Sequence, residues 1–360
     1  MLERMTRRKF LQGTATLWFG SAIAWWASMA LEVADANFIP FSATWSWSVN
    51  LGKLKPSFLA PCLDAVSILG AELVRFDADW RDLEPEEGSW SSAQLQWYHT
   101  LMEGVRQKGL KAIANLDGYP PWALRELSSH PDRFFNHWHR AVHRMASILG
   151  PEVAYYQLGN EFNTILDPIP AKYDGNVMRI ARQALDEVFS EHPSWTARTV
   201  INPFFGFNHF GSEWDGALRQ VLDEAADAID VLALDYYPGS YTPFVRPSDW
   251  SPLANLAQYA NEYQKELAVG ELGYPTFPWG ENRQAAWLKI TLDALNREVD
   301  RLKIRKRFAF VNIFELMDRS HLDWWELWRP TETSLGIIDT HFRPKRGYWV
   351  LREIIDRSKP

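Results

Sequence analysis

Two stretches of this chain set a glutamate at the end of a buried apolar run. One is Ala154-Tyr155-Tyr156-Gln157-Leu158-Gly159-Asn160-Glu161. The other is Leu267-Ala268-Val269-Gly270-Glu271-Leu272-Gly273, with its glutamate 110 residues further on. A structural strand has no need of a carboxylate at its tip, so the repeated design points to chemistry by a carboxyl pair. Cleavage of a glycosidic bond needs such a pair: one group protonates the leaving oxygen, and the other, ionised, attacks the anomeric carbon or activates water. The two must differ in proton affinity, so their surroundings must differ. Glu161 and Glu271 are therefore the expected catalytic residues, and the amide of Asn160 is placed to bind the sugar hydroxyl next to the reacting carbon.

Five further residues are expected to bind substrate or position the pair. Arg75 lies inside the apolar strand pattern Leu73-Val74-Arg75-Phe76-Asp77, where a charge is costly unless it is paired. It is read as the partner that keeps one carboxylate ionised. Tyr237 ends another strand (Leu232-Ala233-Leu234-Asp235-Tyr236-Tyr237), with a hydroxyl able to hold the nucleophile; Tyr236 should face the opposite way. Trp122 and Trp279 fall in segments that follow strands, where flat indole faces suit the C–H faces of a sugar. With them go Trp80, Trp90, Trp324, Trp325 and Trp328, in a chain of 19 tryptophans. Glu315 closes the last strand pattern. Asp77, Asp79, Asn115, Asp117 and Asp235 also fall near strand ends, where any of them can bind hydroxyls.

The elements that must carry these residues alternate eight times from Asn37 onward. Strands are expected at 38–45, 72–77, 110–116, 153–158, 198–204, 230–236, 267–270 and 307–314. Helices are expected at 58–69, 92–108, 131–149, 173–191, 214–228, 252–266, 282–302 and 345–357. The strands are short apolar runs, and the helices repeat apolar residues three and four apart. Eight strand–helix units in about 320 residues predict an α/β fold, a single (β/α)8 TIM barrel. The connections after strands are the longer ones, which places the candidate site at the C-terminal mouth. No linker, internal repeat or low-complexity tract divides residues 37–360.

Residues 1–36 are set apart. Thr6-Arg7-Arg8-Lys9-Phe10-Leu11-Gln12 matches a twin-arginine export pattern, with a weakly apolar stretch from Thr14 to Ala30 behind it. Ala34-Asp35-Ala36 or Ser28-Met29-Ala30 offers the small residues of a cleavage site; an uncleaved anchor is the alternative. The expected destination is the periplasm or the cell exterior, with no stable membrane insertion after removal of the signal.

Composition narrows the partners. The net charge of −7 gives no basic field for nucleic acid. The lone Cys62 allows neither an intrachain disulfide nor a thiolate metal site; it reads as a small core residue. His139 and His143, four apart on an expected helix, have metal-ligand spacing, but a solvated helix face explains them as well. There is no HExxH, no glycine-rich phosphate loop and no GxSxG.

These residues together resemble the barrel glycoside hydrolases of clan A, over about residues 38–357. Gly159-Asn160-Glu161 is similar to that clan's fourth-strand Asn-Glu, and Glu271 to its seventh-strand nucleophile. Arg75 resembles its second-strand arginine and Tyr237 its sixth-strand tyrosine. Val74-Arg75-Phe76-Asp77 through Glu84-Pro85-Glu86-Glu87-Gly88-Ser89-Trp90, and Ser334-Leu335-Gly336-Ile337-Ile338-Asp339 through Pro344-Lys345, also resemble segments common there. The resemblance implies a retaining enzyme that works through a covalent glycosyl-enzyme on a β-linked glycan, with Glu161 as acid/base and no metal or other cofactor. The chain departs from the pattern at Asp235, where many members carry a histidine, and at Ile313-Phe314-Glu315, where a tryptophan is common. A barrel that binds polysaccharide without cleaving it is the alternative. A metal-dependent hydrolase is disfavoured by the lack of histidines at strand ends.

Overall fold

The computed structural model describes residues 45–52, 54–164, 167–205, 214–240, 245–319 and 329–359. The stretch expected to be an export signal, with its expected cleavage sites, and Trp324, Trp325 and Trp328 lie outside them. Among the described residues no helix is long and apolar enough to cross a membrane.

Nine β segments form one closed parallel sheet. They are β1 Ser46–Asn50, β2 Leu73–Asp79, β3 Lys111–Asp117, β4 Val153–Leu158, β5 Arg198–Ile201, β6 Phe204–Phe205, β7 Val231–Tyr236, β8 Glu266–Leu272 and β9 Phe308–Ile313. The order runs β5-β4-β3-β2-β1-β9-β8-β7-β6, and a further β5–β7 pairing closes the ring. Both β5 and β6 pair with β7, so they share one staggered position. The result is the eight-stranded (β/α)8 barrel, and β7 and β8 are its sixth and seventh strands.

The fifth strand was expected to be continuous over 198–204. It breaks at Asn202-Pro203 because a proline has no N–H to give to the ladder. The first strand was expected at 38–45, of which 38–44 lie outside the described residues; the first described strand, Ser46–Asn50, pairs with β2 and β9 through Val49↔Val74 and Val49↔Ile313. In SWSVN, small and polar residues alternate with Trp47 and Val49, which pack toward the helical layer. That alternation is a weaker signal than a continuous apolar run. Trp47 Nε1–H donates to Ser358 Oγ of the last helix at 3.0 Å, tying the two ends of the barrel together.

The helices fall within a few residues of expectation: Leu59–Leu69, Ser92–Gln107, Pro131–Leu149, Asp174–Glu191, Trp214–Ala225, Ser251–Glu262, Glu281–Arg301 and Arg346–Ser358. Ser91 caps the second of these, its side chain accepting from Gln94 N at 3.3 Å. Among the described residues, three further α-helices lie in the connections after strands: Trp80–Leu83, Arg329–Glu332 and the longer Pro121–Ser129, with Pro121 at its first turn.

The core has two compartments. The larger lies between sheet and helices. The smaller fills the barrel axis with Leu73, Ile113, Tyr155, Val200, Val231, Ala233, Ala268 and Phe310, and Tyr155 meets Phe310 edge to face at 4.9 Å. Side chains alternate along a strand, so the next inward positions belong to Arg75, Asn115, Gln157, Asp235 and Gly270, with Asn202 just beyond β5. A dry apolar plug thus supports a polar floor, and the mouth opens above that floor. Cys62 is fully buried outside the barrel, and burial pushes its thiol up to about 12.

Candidate active site

The seventh-strand glutamate stays in the sheet. Glu271 pairs with β7 at Asp235↔Glu271, so neighbouring strands deliver donors to it. Arg75 Nη1 lies 2.8 Å from Glu271 Oε1, and Tyr237 Oη–H donates to Oε2 at 2.5 Å. Arg75 is 2% exposed and its fork is fully engaged: Nε donates to Gln157 Oε1 at 2.8 Å, and Nη2 to Asn160 Oδ1 at 2.7 Å. The guanidinium and the phenol together fix both oxygens of Glu271 in one orientation. Tyr236 faces the other way, against Phe205 and Trp250.

The fourth-strand glutamate leaves the sheet. Gly159 takes φ +88° and Glu161 itself takes φ +47°. The left-handed region is open to glycine and unfavourable for a glutamate, and residues held there cluster at functional sites. The double turn lifts Glu161 out of the ladder. Among the described residues no donor reaches its carboxyl. Burial, the negative charge of Glu271 and that of Glu332 raise its proton affinity well above the ordinary range, with only Arg75 opposing. The two glutamates therefore sit in opposite environments, and one oxygen of each lies within 4.8 Å of the other.

Asn160 links them. Its Oδ1 accepts from Arg75 Nη2, from Gln157 Nε2 at 3.0 Å and from Asn202 Nδ2 at 2.9 Å. With the carbonyl oxygen saturated, the Nδ2 hydrogens remain for a ligand in the mouth. Asp235 completes the group: one of its oxygens lies within 4.8 Å of those of both glutamates. Three acidic oxygens this close can also gather round a cation, but here the positive charge facing them is the guanidinium of Arg75.

Around this centre, Asn115 Nδ2 donates to Asp77 Oδ1 at 3.0 Å, while Asp79 binds Arg81 at 2.9 Å. Burial, with Asp77 and Asp79 nearby, pushes Asp117 up to about 7. Glu315 is 1% exposed and pairs with Arg319 at 2.8 Å; burial raises it to about 7. The group nearer solvent there is Arg319, stacked on Phe314 at 5.1 Å. Trp122 Nε1–H donates to the Glu84 carbonyl at 3.0 Å, and its ring packs edge-on against Trp80 and His137. Trp80 is fully buried. Trp90 is half-buried, with the Arg144 guanidinium 4.2 Å above its ring. Trp279 is half-buried against the core. His139 and His143 pair outside the barrel with Glu187 and Glu191 at 3.2 Å each.

Gln157, Asn202 and Arg319 escaped sequence reasoning. The first two did carry a signal: an amide at an inward position of a buried strand, where an apolar residue is the norm.

No family model matches the sequence, and no curated protein matches it. Solved structures do. A β-glycosidase superposes with TM-score 0.65 at 15% identity, over 89% of this chain and 99% of that one. An exo-β-1,4-mannosidase from Opitutaceae bacterium strain TAV5 gives 0.66 at 18% identity, over 89% of this chain and 62% of its own. A family 1 β-glucosidase from Thermotoga maritima gives 0.66 at 13%, over 90% and 99%. The likeness is one of fold. At such identities it says which barrel this is and leaves the chemistry to the residues.

Proposed function

We propose that this chain is a retaining glycoside hydrolase acting on a β-linked oligo- or polysaccharide, with Glu161 as acid/base and Glu271 as nucleophile. One observation carries the reading: two glutamates with oxygens within 4.8 Å, one gripped by a guanidinium and a phenol, the other without a donor. Retention calls for carboxyls about 5–5.5 Å apart, whereas inversion needs about 6.5–9.5 Å to admit a water between them. The spacing here suits direct attack.

In the first step Glu271 attacks the anomeric carbon while Glu161 passes its proton to the departing oxygen. Arg75 and Tyr237 hold the attacking carboxylate in one orientation, so little reorganisation is left for the transition state. Asn160 Nδ2 donates to the hydroxyl beside the reacting carbon. The ester bond then removes the charge of Glu271. That charge was one of the causes of Glu161's raised proton affinity, so Glu161, now ionised, turns into the base that activates water for the second step.

The substrate class has support of a weaker kind: solved barrels of this shape include a β-glucosidase and an exo-β-1,4-mannosidase. Export to the periplasm or the cell exterior is supported by Thr6 to Gln12, which fit a twin-arginine signal.

The test uses a panel of activated aryl β-glycosides and β-glucans and β-mannans. The first-formed sugar should keep the β configuration by proton NMR. Glu161→Ala should regain turnover with azide and yield the β-glycosyl azide, whereas Glu271→Ala with azide should yield the α anomer. Wild-type hydrolysis by both variants, or a first product of inverted configuration, would sink the assignment. Saccharide binding with no turnover on any substrate would favour a non-catalytic barrel.

A further inference from the structure

Beneath the two glutamates lies a carboxyl that the double-displacement scheme does not use. Asp235 is inward-facing on β7 and completely buried. Its Oδ2 accepts from Asn202 Nδ2 at 2.5 Å. Its Oδ1 is buried with no hydrogen-bond partner. Oδ1 lies against Gly270, where an added Cβ would stand only 2.2 Å away, so a glycine at that place is what makes room for the acid. The ionisable groups facing it are Glu271 of β8, Glu161 beyond β4, Arg75 of β2 and Tyr237 of its own strand end.

Two arguments fix its state. A buried carboxylate needs donors at both oxygens, and one oxygen here has none. Among the described residues the trio also faces a single cation, Arg75, and that cation is in contact with Glu271. Resting on the glycosidase reading, we infer that Asp235 is a third acid of the site that keeps its proton at neutral pH and throughout turnover: a positioning residue that places an O–H, not a second negative charge, under Glu161 and Glu271. Burial and the charges of Glu271 and Glu161 drive its proton affinity in the same direction.

The consequence is a division of labour. Asp235 ends a relay of hydrogen bonds that runs from Arg75 to Gln157, from Gln157 Nε2 to Asn202 Oδ1 at 2.8 Å, and from Asn202 to Asp235. Its acceptor oxygen fixes Asn202, which in turn braces Asn160. One of its oxygens lies within 4.8 Å of an oxygen of each reacting carboxyl. Across that gap a bridging water or a substrate hydroxyl can complete the bond. A neutral group there stabilises Glu161 when it becomes a carboxylate and leaves the charge of Glu271 to control when it does.

Asp235→Asn is the neutral isostere, able to accept from Asn202 and donate into the gap. It should keep kcat/KM within about threefold of wild type and leave the alkaline limb of the pH profile where it was. Asp235→Ala should lose about tenfold in kcat with KM little changed, the scale of one net hydrogen bond. A readout free of substrate accompanies these: the infrared spectrum of the wild type minus that of Asp235→Asn at one pH, in which the protonated carboxyls common to both proteins cancel. A carboxylic-acid C=O band should remain in that difference between about pH 5 and about pH 8, where ordinary aspartates are ionised. Absence of the band, or an alkaline limb moved to lower pH in Asp235→Asn, would overturn the inference, because removing a real negative charge must weaken Glu161's hold on its proton. Undiminished hydrolysis by Glu161→Gln and Glu271→Gln would instead sink the glycosidase reading, while the infrared band would still report on Asp235.

Discussion

Arg75 and Glu271 provide a quantitative test of the site that needs no substrate. Their atoms are 2.8 Å apart and both side chains are nearly excluded from solvent. Unit charges about 4 Å apart attract by about 4 kcal/mol at an effective dielectric of about 20. Removing one partner from a buried pair costs about 3–5 kcal/mol, chiefly because the other charge is left uncompensated. Arg75→Met should therefore destabilise the fold by about that amount. Glu271→Gln should cost less, since Tyr237 still has an acceptor. The double variant Arg75→Met/Glu271→Gln leaves neither charge stranded and should be about 2–4 kcal/mol more stable than the sum of the single losses predicts. The assay is denaturant unfolding of all four proteins at neutral pH in one buffer. Losses that add to within about 0.5 kcal/mol would refute the idea that this ion pair organises the floor of the mouth.

Two further outcomes follow from the same coordinates. Gly270→Ala places a methyl 2.2 Å from Asp235 Oδ1 and 3.2 Å from the Cβ atoms of Ala233 and Asn202; overpacking of this kind costs about 1–3 kcal/mol, measurable by calorimetry, and turnover should fall with it. Burial holds protons on Asp117 and Asp174 to about 7 and on Asp167 to about 8 in the folded state. The unfolded chain releases them near pH 4, so the folded form binds more protons in between. Stability should accordingly fall as pH rises from about 4 to about 8, and Asp117→Asn should flatten that slope in unfolding experiments across the window.

The alternation of short apolar runs with 3.6-residue periodicity was enough to read the barrel, because eight buried strands and eight amphipathic helices each repeat the signal. It failed where one element was atypical. Ser46–Asn50 hides its apolar side chains on one face, and Pro203 interrupts the fifth strand. The site was legible wherever chemistry broke a local rule: a glutamate after a buried strand, an arginine inside one. It was less legible at Gln157, Asn202 and Asp235. A single amide or acid near a strand end looks the same whether it lies on the polar floor or on the rim, and only barrel closure brings β4, β5 and β7 to one point. Glu315 shows the reverse case. Its place at a strand end suggested substrate contact, yet the folded chain buries it and turns Arg319 outward.

The asymmetry of the carboxyl pair is made by the backbone. Glu271 keeps its position in the ladder, so β2 and the end of β7 can aim Arg75 and Tyr237 at it from fixed distances. Glu161 follows a glycine at φ +88° and adopts φ +47° itself, a conformation that costs about 1 kcal/mol or more for a residue with a side chain. What the strain achieves is separation from the ladder's donors. Lifted out, it is governed by burial and negative charge, with Arg75 alone opposing. Two residues of identical chemistry are thereby set in opposite surroundings by one turn of backbone, and Asn160, next to Glu161 in the chain, shares the Arg75 guanidinium with Glu271.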